Sequence, residues 1–113
     1  MPRDSKLYLE DIRQAIEKIE VYTLEISLYD LQQNNMLLDA VLYNLEIIGE
    51  AAKHLPEDLK GKSSEIEWRK ITGLRDIVAH EYFGISIEII WDILKNKLPG
   101  LRDAVTRIQD EGV

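Results

Sequence analysis

The sequence predicts an all-α bundle with four main helices and a short fifth helix. Apolar residues recur at helical spacing along nearly the whole chain, and no segment alternates with a period of two for long enough to form a strand. Only 3 prolines and 6 glycines punctuate the pattern. The 113 residues, of which 45% are hydrophobic, fit a single domain over residues 1–113.

The first predicted helix begins at Asp4 or Ser5, either of which can cap it, and runs to about Thr23. Its inner face consists of three isoleucines at helical spacing: Ile12, Ile16 and Ile19. The break before the second helix is poorly marked. Ser27-Leu28-Tyr29-Asp30 resembles a capping box with Asp in place of the stronger Glu.

The second helix is apolar on more than one face. One stripe contains Leu37, Val41, Leu45 and Ile48, while Leu38, Leu42 and Ile47 lie off that stripe. Such a helix is either the central helix of the bundle or a helix shared with a second copy of the chain. Gly49 inside it costs about 1 kcal/mol relative to Ala, which indicates that another backbone approaches closely there. Leu55-Pro56 ends the helix.

Punctuation residues define the second half of the chain. A polar loop is expected over residues 57–63, and Ser64-Glu65-Ile66-Glu67 matches a capping box for a third helix that ends near Gly84. Ser86 caps a fourth helix, which Leu98-Pro99-Gly100 ends. A short fifth helix carries three apolar residues at helical spacing: Leu101, Val105 and Ile108.

The net charge of −7 argues at first against a nucleic-acid partner, whose phosphates require Lys and Arg. The charge is unevenly spread, however. Residues 60–75 contain five basic and two acidic side chains, a local net charge of +3. Either an anion approaches this basic stretch, or the surface charges average out in this way by chance.

Three absences limit the class of protein. The chain has no cysteine, which excludes disulfides and Cys-based zinc sites and fits a reducing cytoplasm. No apolar run approaches the length of a membrane span, and the first residues do not read as a signal peptide. We therefore expect a cytoplasmic protein without membrane contact.

Three residues near the end of the third helix have the chemistry to handle phosphate: Arg75, His80 and Tyr82. Arginine supplies a planar donor fork, and histidine supplies a base that titrates near neutrality. Asp76 and His80 are four residues apart, so Asp76 can orient the imidazole ring. Arg75 and His80 are about 140° apart around one helix, so they face one site only if two copies meet at a two-fold axis.

Other readings of the two histidines are weaker. His80-Glu81 begins like a zinc-protease helix, but Gly84 stands where the second histidine is needed. His54 lies near the end of the second helix, where an imidazolium favours the helix dipole, and we expect a structural role for it. Without a family match, Tyr82 and Phe83 would be read as ordinary core aromatics.

The pattern Arg75-x4-His80-x-Tyr82 resembles the R-x4-H-x-Y signature of the HepT-like toxins, a branch of the HEPN ribonuclease superfamily. Residues 44–51, residues 68–76 and the segment from Trp91 to Pro99 are similar to further blocks of that family, in the same order. Where many relatives read Ile-Pro-Trp, this chain reads Ile66-Glu67-Trp68.

This resemblance implies a four- to five-helix HEPN-type bundle that forms a homodimer with a composite site at the two-fold axis. It implies a metal-independent endoribonuclease without a cofactor that cleaves RNA through 2′-OH attack and leaves a 2′,3′-cyclic phosphate. Arg75 would bind the scissile phosphate, His80 would act as general base or acid, and Asp76 would support the geometry. A minimal nucleotidyltransferase antitoxin would silence this toxin by AMPylation of Tyr82.

Two questions stay open at this level. Asp39, Tyr43, Glu46 and Glu50 form a stripe on the second helix that either lines the cleft or is a solvated face, and the solvated face is the favoured interpretation. The alternative function is a non-catalytic substrate-binding subunit of a two-component nucleotidyltransferase, which the acidic charge fits somewhat better. A purely structural dimer is a third possibility.

Overall fold

The computed structural model describes residues 3–81 and 86–112, and every regular element within those residues is helical. The helices are α1 (Ser5–Tyr22), α2 (Leu28–Gln33), α3 (Asn35–Lys53), α4 (Glu57–Lys60), α5 (Trp68–Thr72), α6 (Leu74–Glu81), α7 (Ile87–Asp92) and α8 (Leu98–Asp110). A 3-10 turn follows α4 (Gly61–Ser63), and a π-helical turn joins α7 to α8 (Ile93–Lys97). The all-α prediction is confirmed.

Helix α3 is the centre of the bundle. It packs against α1, α2, α5 and α6. Val41, Leu45 and Ile48 are fully buried, and Leu42, which lies off their stripe, is buried as well. The apolar surface on more than one face of α3 is therefore covered to a large extent within a single chain, as expected for a central helix.

Helix α1 forms as its sequence predicts. The Asp4 carboxylate accepts a hydrogen bond from the Lys6 main-chain nitrogen at 2.9 Å, which satisfies one of the free donors at the helix start. The three isoleucines of its inner face are buried against α3 and α8. The helix ends one residue before Thr23, whose hydroxyl donates to the Ile19 carbonyl at 2.8 Å.

The segment before α3 forms a separate short helix. Ser27 and Asp30 make a complete capping box at the start of α2, as predicted. Asn34 then interrupts the helix, and its side-chain oxygen accepts from the Leu37 main-chain nitrogen at 3.0 Å. A second cap, not visible as such in the sequence pattern, thus starts α3.

Two predictions for the middle of the chain are wrong. Residues 57–63, expected to be a loop, form α4 and the 3-10 turn. The indole of Trp68 donates to the main-chain carbonyls of Lys60 and Ser63, at 3.0 and 3.1 Å, and so holds this turn in place. The second capping box does not form, since α5 begins at Trp68 without a side-chain cap and the carboxylate of Glu67, the acid of the box, instead lies 3.0 Å from the Lys70 Nζ.

Leu98-Pro99-Gly100 does not end the fourth helix. Helix α7, the π-helical turn and α8 follow one another without a loop, and Pro99 lies in the first turn of α8. Proline is tolerated there because a first-turn nitrogen has no helical acceptor to lose. The Ser86 cap is confirmed by a bond from the Glu88 nitrogen at 3.2 Å. The expected end near Gly84 lies outside the described residues.

The apolar residues of α8 complete the core. Leu101, Val105 and Ile108 are fully buried, as their helical spacing predicts. Arg102 also ties α8 to α1 through Glu20, with 2.7 Å between the guanidinium nitrogen and the carboxylate oxygen. Across residues 3–81 and 86–112, none of the helices combines the length and apolar character that crossing a bilayer requires.

Candidate active site

Helix α6 presents its polar residues to solvent because its apolar residues pack inward. Leu74 and Val78 are buried on the side that faces the core. Arg75, Asp76 and His80 are exposed. The described part of the predicted signature therefore lies on the surface, where a large substrate can reach it.

Arg75 is paired with a residue of α3. Its Nη1 donates to Glu50 Oε2 at 2.5 Å, and both side chains are 45% exposed. The approach of the two helices is close here, since a Cβ added at Gly49 would lie 3.1 Å from Arg75 Cγ and 3.3 Å from both Arg75 N and the Thr72 carbonyl oxygen. The close backbone approach predicted from Gly49 is thus confirmed, and the neighbour is the start of α6 at Arg75.

Glu50 is itself held from its other side. His54, at the C-terminal end of α3, lies with Nε2 at 3.1 Å from Glu50 Oε1. The Tyr8 ring of α1 stacks on the His54 ring, with 5.0 Å between centroids and 13° between planes. The hydrogen bond to His54, followed by the positive charges of Arg75 and Lys53, lowers the pKa of Glu50 from its ordinary value of 4.5, so Glu50 is a carboxylate at neutral pH.

His80 makes a contact that determines its tautomer. Its Nδ1 lies 2.6 Å from the main-chain carbonyl oxygen of Asp76. A carbonyl oxygen only accepts, so the Nδ1 nitrogen carries the proton in this bond. In a neutral imidazole the other nitrogen, Nε2, then has a free lone pair and can act as a base.

Asp76 therefore orients His80 through its main chain. The sequence suggested that the carboxylate would do this, but the bond that the structure records comes from the carbonyl group. The spacing of four residues is the same in both cases. The exposed carboxylate of Asp76 is left for another role, and its part in supporting the site stays a prediction.

The structure does not bring Arg75 and His80 to one side of α6. Both residues belong to one continuous helix, and five residues correspond to about 140° around its axis. This arrangement agrees with the angle of about 140° that the sequence predicts. Tyr82 lies outside the described residues, so its predicted modification stays a prediction.

A groove of about 330 Å³ lies beside Arg75, lined by Tyr43, Glu46, Ile47, Glu50 and Arg75 itself. Three members of the α3 stripe therefore line a concave surface next to the candidate residue. Tyr43 is 65% exposed at this groove. The favoured interpretation, a purely solvated face, is too simple, because the stripe is solvated and also borders the candidate site.

The basic stretch over residues 60–75 is largely paired with carboxylates. Lys60 lies 3.7 Å from Glu57, Lys70 lies 3.0 Å from Glu67, and Arg75 contacts Glu50. Two of these three carboxylates come from outside the stretch. Glu50 and Glu57 therefore offset part of the +3 charge of this stretch in the folded chain.

Two further features lie outside the candidate site. A cavity of about 640 Å³ lies between α5–α6 and α7–α8, and neither Arg75 nor His80 is among its lining residues. Within the same described part of the chain, no group of three or more acidic or histidine side chains is arranged to hold a metal ion.

Three residues extend the candidate site beyond the sequence prediction. The sequence places Glu50 on a stripe of α3 and His54 at a helix end, and it gives Tyr8 no role. The spacing of four residues between Glu50 and His54 is a signal for their contact, whereas nothing local indicates the stacking of Tyr8 or the pairing with Arg75.

Comparison with known proteins adds independent information. The family model described as "Ribonuclease HepT-like" matches residues 12–108. A protein of Thermococcus cleftensis named "Probable ribonuclease HepT" is 40% identical over 109 residues, which is 96% of this chain and 99% of that protein. A protein of Caldanaerobacter subterraneus named as a "Putative RNase" is 40% identical over 101 residues, covering 89% of this chain and 90% of its own length.

A longer relative shows that the domain also occurs as part of larger proteins. A Methanocaldococcus jannaschii protein named "Gamma-glutamylcyclotransferase and putative RNase" is 37% identical over 111 residues. The match covers 98% of this chain but only 50% of that protein, so the chain spans about half its length. No solved structure matches the chain. With a family model that covers most of its length and near-full-length relatives at 40% identity, this chain belongs to the HepT-like ribonuclease family.

Proposed function

We propose that this chain is a metal-independent endoribonuclease that cleaves RNA by attack of a ribose 2′-OH on the neighbouring phosphate. Membership of the ribonuclease family supports the reaction class. The observation that carries the residue assignment is the bond from His80 Nδ1 to the Asp76 carbonyl, because it leaves Nε2 as an exposed base on the helix that also presents Arg75.

In the proposed mechanism, His80 Nε2 takes the proton from the 2′-OH. The 2′ oxygen then forms a bond to phosphorus, and the bond to the 5′ oxygen of the next nucleotide breaks. That leaving oxygen takes up a proton, which His80 in its protonated form can supply. The products are a 2′,3′-cyclic phosphate and a free 5′-hydroxyl.

Arg75 acts on the charge that develops at phosphorus. The guanidinium carries five N–H donors, and its contact with Glu50 uses Nη1. Its remaining donors can bind two phosphate oxygens at once, which is the geometry in which arginine recognises phosphate best. Donors already in place where negative charge develops lower the barrier of the chemical step.

The protein works as a homodimer in this proposal, and its site is composite. One helix directs Arg75 and His80 to different sides, so a second copy related by a two-fold axis supplies the missing partner of each residue. The exposed stripe of α3 beside Arg75 supports this arrangement. Met36 and Tyr43, two exposed residues seven apart on that helix, share its face with Glu50.

A cleavage assay in EDTA tests the reaction. We expect wild-type protein to cut single-stranded RNA to products with cyclic phosphate ends. His80→Ala and Arg75→Ala should each lower the rate by a factor on the order of 100 or more. The melting temperature of His80→Ala should be unchanged, because the side chain is exposed.

Arg102→Ala is the matched control for Arg75→Ala. Arg102 is 40% exposed and is also paired with one glutamate of another helix. Its replacement removes an ion pair between two helices, as Arg75→Ala does, but leaves the candidate site intact. Equal cleavage by wild type and His80→Ala would contradict the assigned base. Complete loss of cleavage in EDTA would contradict the metal-independent mechanism.

The biological setting we propose is a type II toxin-antitoxin pair, with a minimal nucleotidyltransferase as the antitoxin that silences the enzyme by AMPylation of Tyr82. Its support is the R-x4-H-x-Y pattern and the family. An adenylyl group two residues from His80 would add bulk and negative charge where RNA enters. Mass spectrometry of protein co-expressed with such a partner should find one adenylyl group on Tyr82. Protein that is co-expressed with the partner but stays unmodified and keeps full cleavage activity would contradict this form of silencing.

The second candidate function is a non-catalytic substrate-binding subunit of a two-component nucleotidyltransferase. The pairing of Lys60, Lys70 and Arg75 with carboxylates favours it, because paired cations attract RNA less strongly. This function predicts a stable complex with the transferase and no RNA cleavage at any protein concentration. The EDTA assay therefore distinguishes the two candidates.

A further inference from the structure

We propose that Glu50 is a positioning residue for Arg75, holding its guanidinium in the orientation that stabilises the reacting phosphate. The inference rests on the proposed function, since it requires Arg75 to act on phosphate. Glu50 is not part of the R-x4-H-x-Y pattern and lies on a different helix, 25 positions earlier in the chain.

The first support is the geometry of the contact. An exposed arginine side chain has many rotamers, and ordering it costs conformational entropy. The 2.5 Å contact between Nη1 and Glu50 Oε2 fixes the end of this side chain before any substrate arrives. Placing a catalytic group in advance removes that entropic cost from the reaction step.

The second support is that Glu50 is fixed in its turn. His54 contacts the other carboxylate oxygen, Oε1, so the two oxygens of Glu50 are assigned to different partners. Stacking on Tyr8 holds the His54 ring. An ordinary surface ion pair is free to exchange partners, whereas this carboxylate is held in place from α1 and from its own helix.

The third support is the position of Gly49 immediately before Glu50. The absence of a side chain at Gly49 allows α6 to approach α3 at Arg75 itself. The same two consecutive residues thus place the backbone of Arg75 and its guanidinium. An ion pair with only a structural role would need the contact of Glu50 with the guanidinium, but not the close approach of the backbone at Gly49.

The charge of Glu50 separates positioning from binding. A carboxylate beside Arg75 repels the phosphates of RNA, so it weakens ground-state binding while it improves the orientation of the guanidinium. Replacing Glu50 by Gln keeps the size of the side chain and removes the charge. Glu50→Gln should therefore strengthen the binding of RNA and lower the rate of the chemical step.

The experiment compares Glu50→Gln with Glu65→Gln. Glu65 accepts from Arg107 at 2.5 Å, and both of those side chains are about half exposed, as in the Glu50–Arg75 pair. We expect Glu50→Gln to lower kcat for a single-stranded RNA by a factor on the order of 10 to 100, with KM unchanged or lower. Glu65→Gln should leave both constants within about twofold of wild type.

Binding is measured separately with a 2′-O-methyl RNA of the same sequence, which cannot react through its 2′ oxygen. We expect Glu50→Gln to bind this probe as tightly as wild type or more tightly. An unchanged or higher kcat of Glu50→Gln would overturn the positioning role. A loss of activity in proportion to a loss of folded protein would overturn it as well. A raised KM with unchanged kcat would also overturn it.

Arg75→Ala separates this inference from the proposed function. If Arg75→Ala abolishes cleavage while Glu50→Gln retains full kcat, only the role of Glu50 is overturned. If Arg75→Ala cleaves as well as wild type, or if wild type does not cleave RNA, the proposed function fails and the role of Glu50 fails with it.

Discussion

Gly49 illustrates how a single residue links the core to the candidate site. Alanine in its place would gain about 1 kcal/mol of helix propensity. The same Cβ would press on the side chain and the main chain of Arg75 and on the Thr72 carbonyl. Overpacking of this kind costs about 1–3 kcal/mol, and here the strain would be taken up by the arginine that we assign to phosphate.

We therefore expect Gly49→Ala to impair RNA cleavage more than it impairs folding. The melting temperature should change by a few degrees at most, because the gain in propensity offsets part of the overpacking. The rate should fall on the order of tenfold or more, because α6 must shift by a few tenths of an ångström. Thermal melts and the EDTA cleavage assay measure the two effects.

Gly100→Ala is the matched control for this substitution. Gly100 also lies in a helix, but an added Cβ would meet nothing within 4 Å. This variant should be as stable as wild type or more stable, with unchanged cleavage. Equal activity of both variants would show that the close approach at Gly49 has no part in the reaction.

At the scale of elements, the chain contains two capping-box patterns with different outcomes. The Ser27 hydroxyl accepts from the Asp30 nitrogen at 3.1 Å, and the Asp30 carboxylate accepts from the Ser27 nitrogen at 2.9 Å. Ser64 has no such role, because α5 starts four residues later, at Trp68. In the second pattern the Glu67 carboxylate contacts Lys70 and Lys97 instead of the Ser64 main chain, and the Trp68 indole bonds to the Lys60 and Ser63 carbonyls.

We expect Ser27→Ala to lower the free energy of unfolding by about 1 kcal/mol, the usual cost of a lost N-cap. Ser64→Ala is the control and should change it by less than about 0.5 kcal/mol, because Ser64 is exposed and caps no helix. Urea unfolding of both variants provides the comparison. Equal losses would mean that the second box forms in solution.

At the scale of the whole molecule, Glu10 joins the first helix to the last. Its carboxylate accepts from Arg13 and Gln14 of α1 and from Gln109 of α8, the last at 3.0 Å. The Arg13 bond is the main cause that lowers the pKa of Glu10 to about 2, from an ordinary value of 4.5. The ionised form is thus preferred in the folded state.

The sign of the pH effect follows from this preference. Because the pKa of Glu10 is lower in the folded state, its contribution to stability is complete above pH 4.5 and is lost as the pH falls towards 2. Glu10→Gln should therefore be less stable than wild type near neutrality, and the difference should shrink between pH 4.5 and 2. Urea unfolding across this range measures it, and curves that stay parallel would contradict the assignment.

The assembly also belongs to the scale of the whole molecule. Tyr43 is 65% exposed on the α3 stripe that we place at the dimer interface. We expect Tyr43→Glu to convert the dimer to a monomer, because a charge buried at an interface is costly. Light scattering after size exclusion measures the mass, and cleavage should fall together with the dimer fraction if the site is composite.

Val21→Glu is the control for Tyr43→Glu. Val21 is 72% exposed at the C-terminal end of α1, and it does not line the groove beside Arg75. A charge there should leave both the mass and the cleavage unchanged. A monomeric wild-type protein that cleaves RNA would contradict the composite site.

Features that depend on local pattern can be predicted from the sequence alone. Helical periodicity placed the core residues of α1, α3 and α8, and the caps at Asp4, Ser27 and Ser86 follow from residues that bond to their own neighbours. The spacing of four residues also predicts that the His80 ring lies next to Asp76 on the same helix face. The close approach at Gly49 could be predicted, because glycine destabilises a helix interior and a close neighbouring backbone is a physical cause for its presence there.

The tertiary fold accounts for the features that depend on distant partners. It made residues 57–63 helical, left the second capping box unformed and continued a helix through Pro99. The Trp68 indole bonds to the Lys60 and Ser63 carbonyls, and the Glu67 carboxylate contacts Lys70 and Lys97. It also joined Arg75 to Glu50, and Glu50 through His54 to Tyr8. Contacts between helices leave no periodic pattern in the sequence. The arrangement around Arg75 therefore follows only from the packing of α1, α3 and α6.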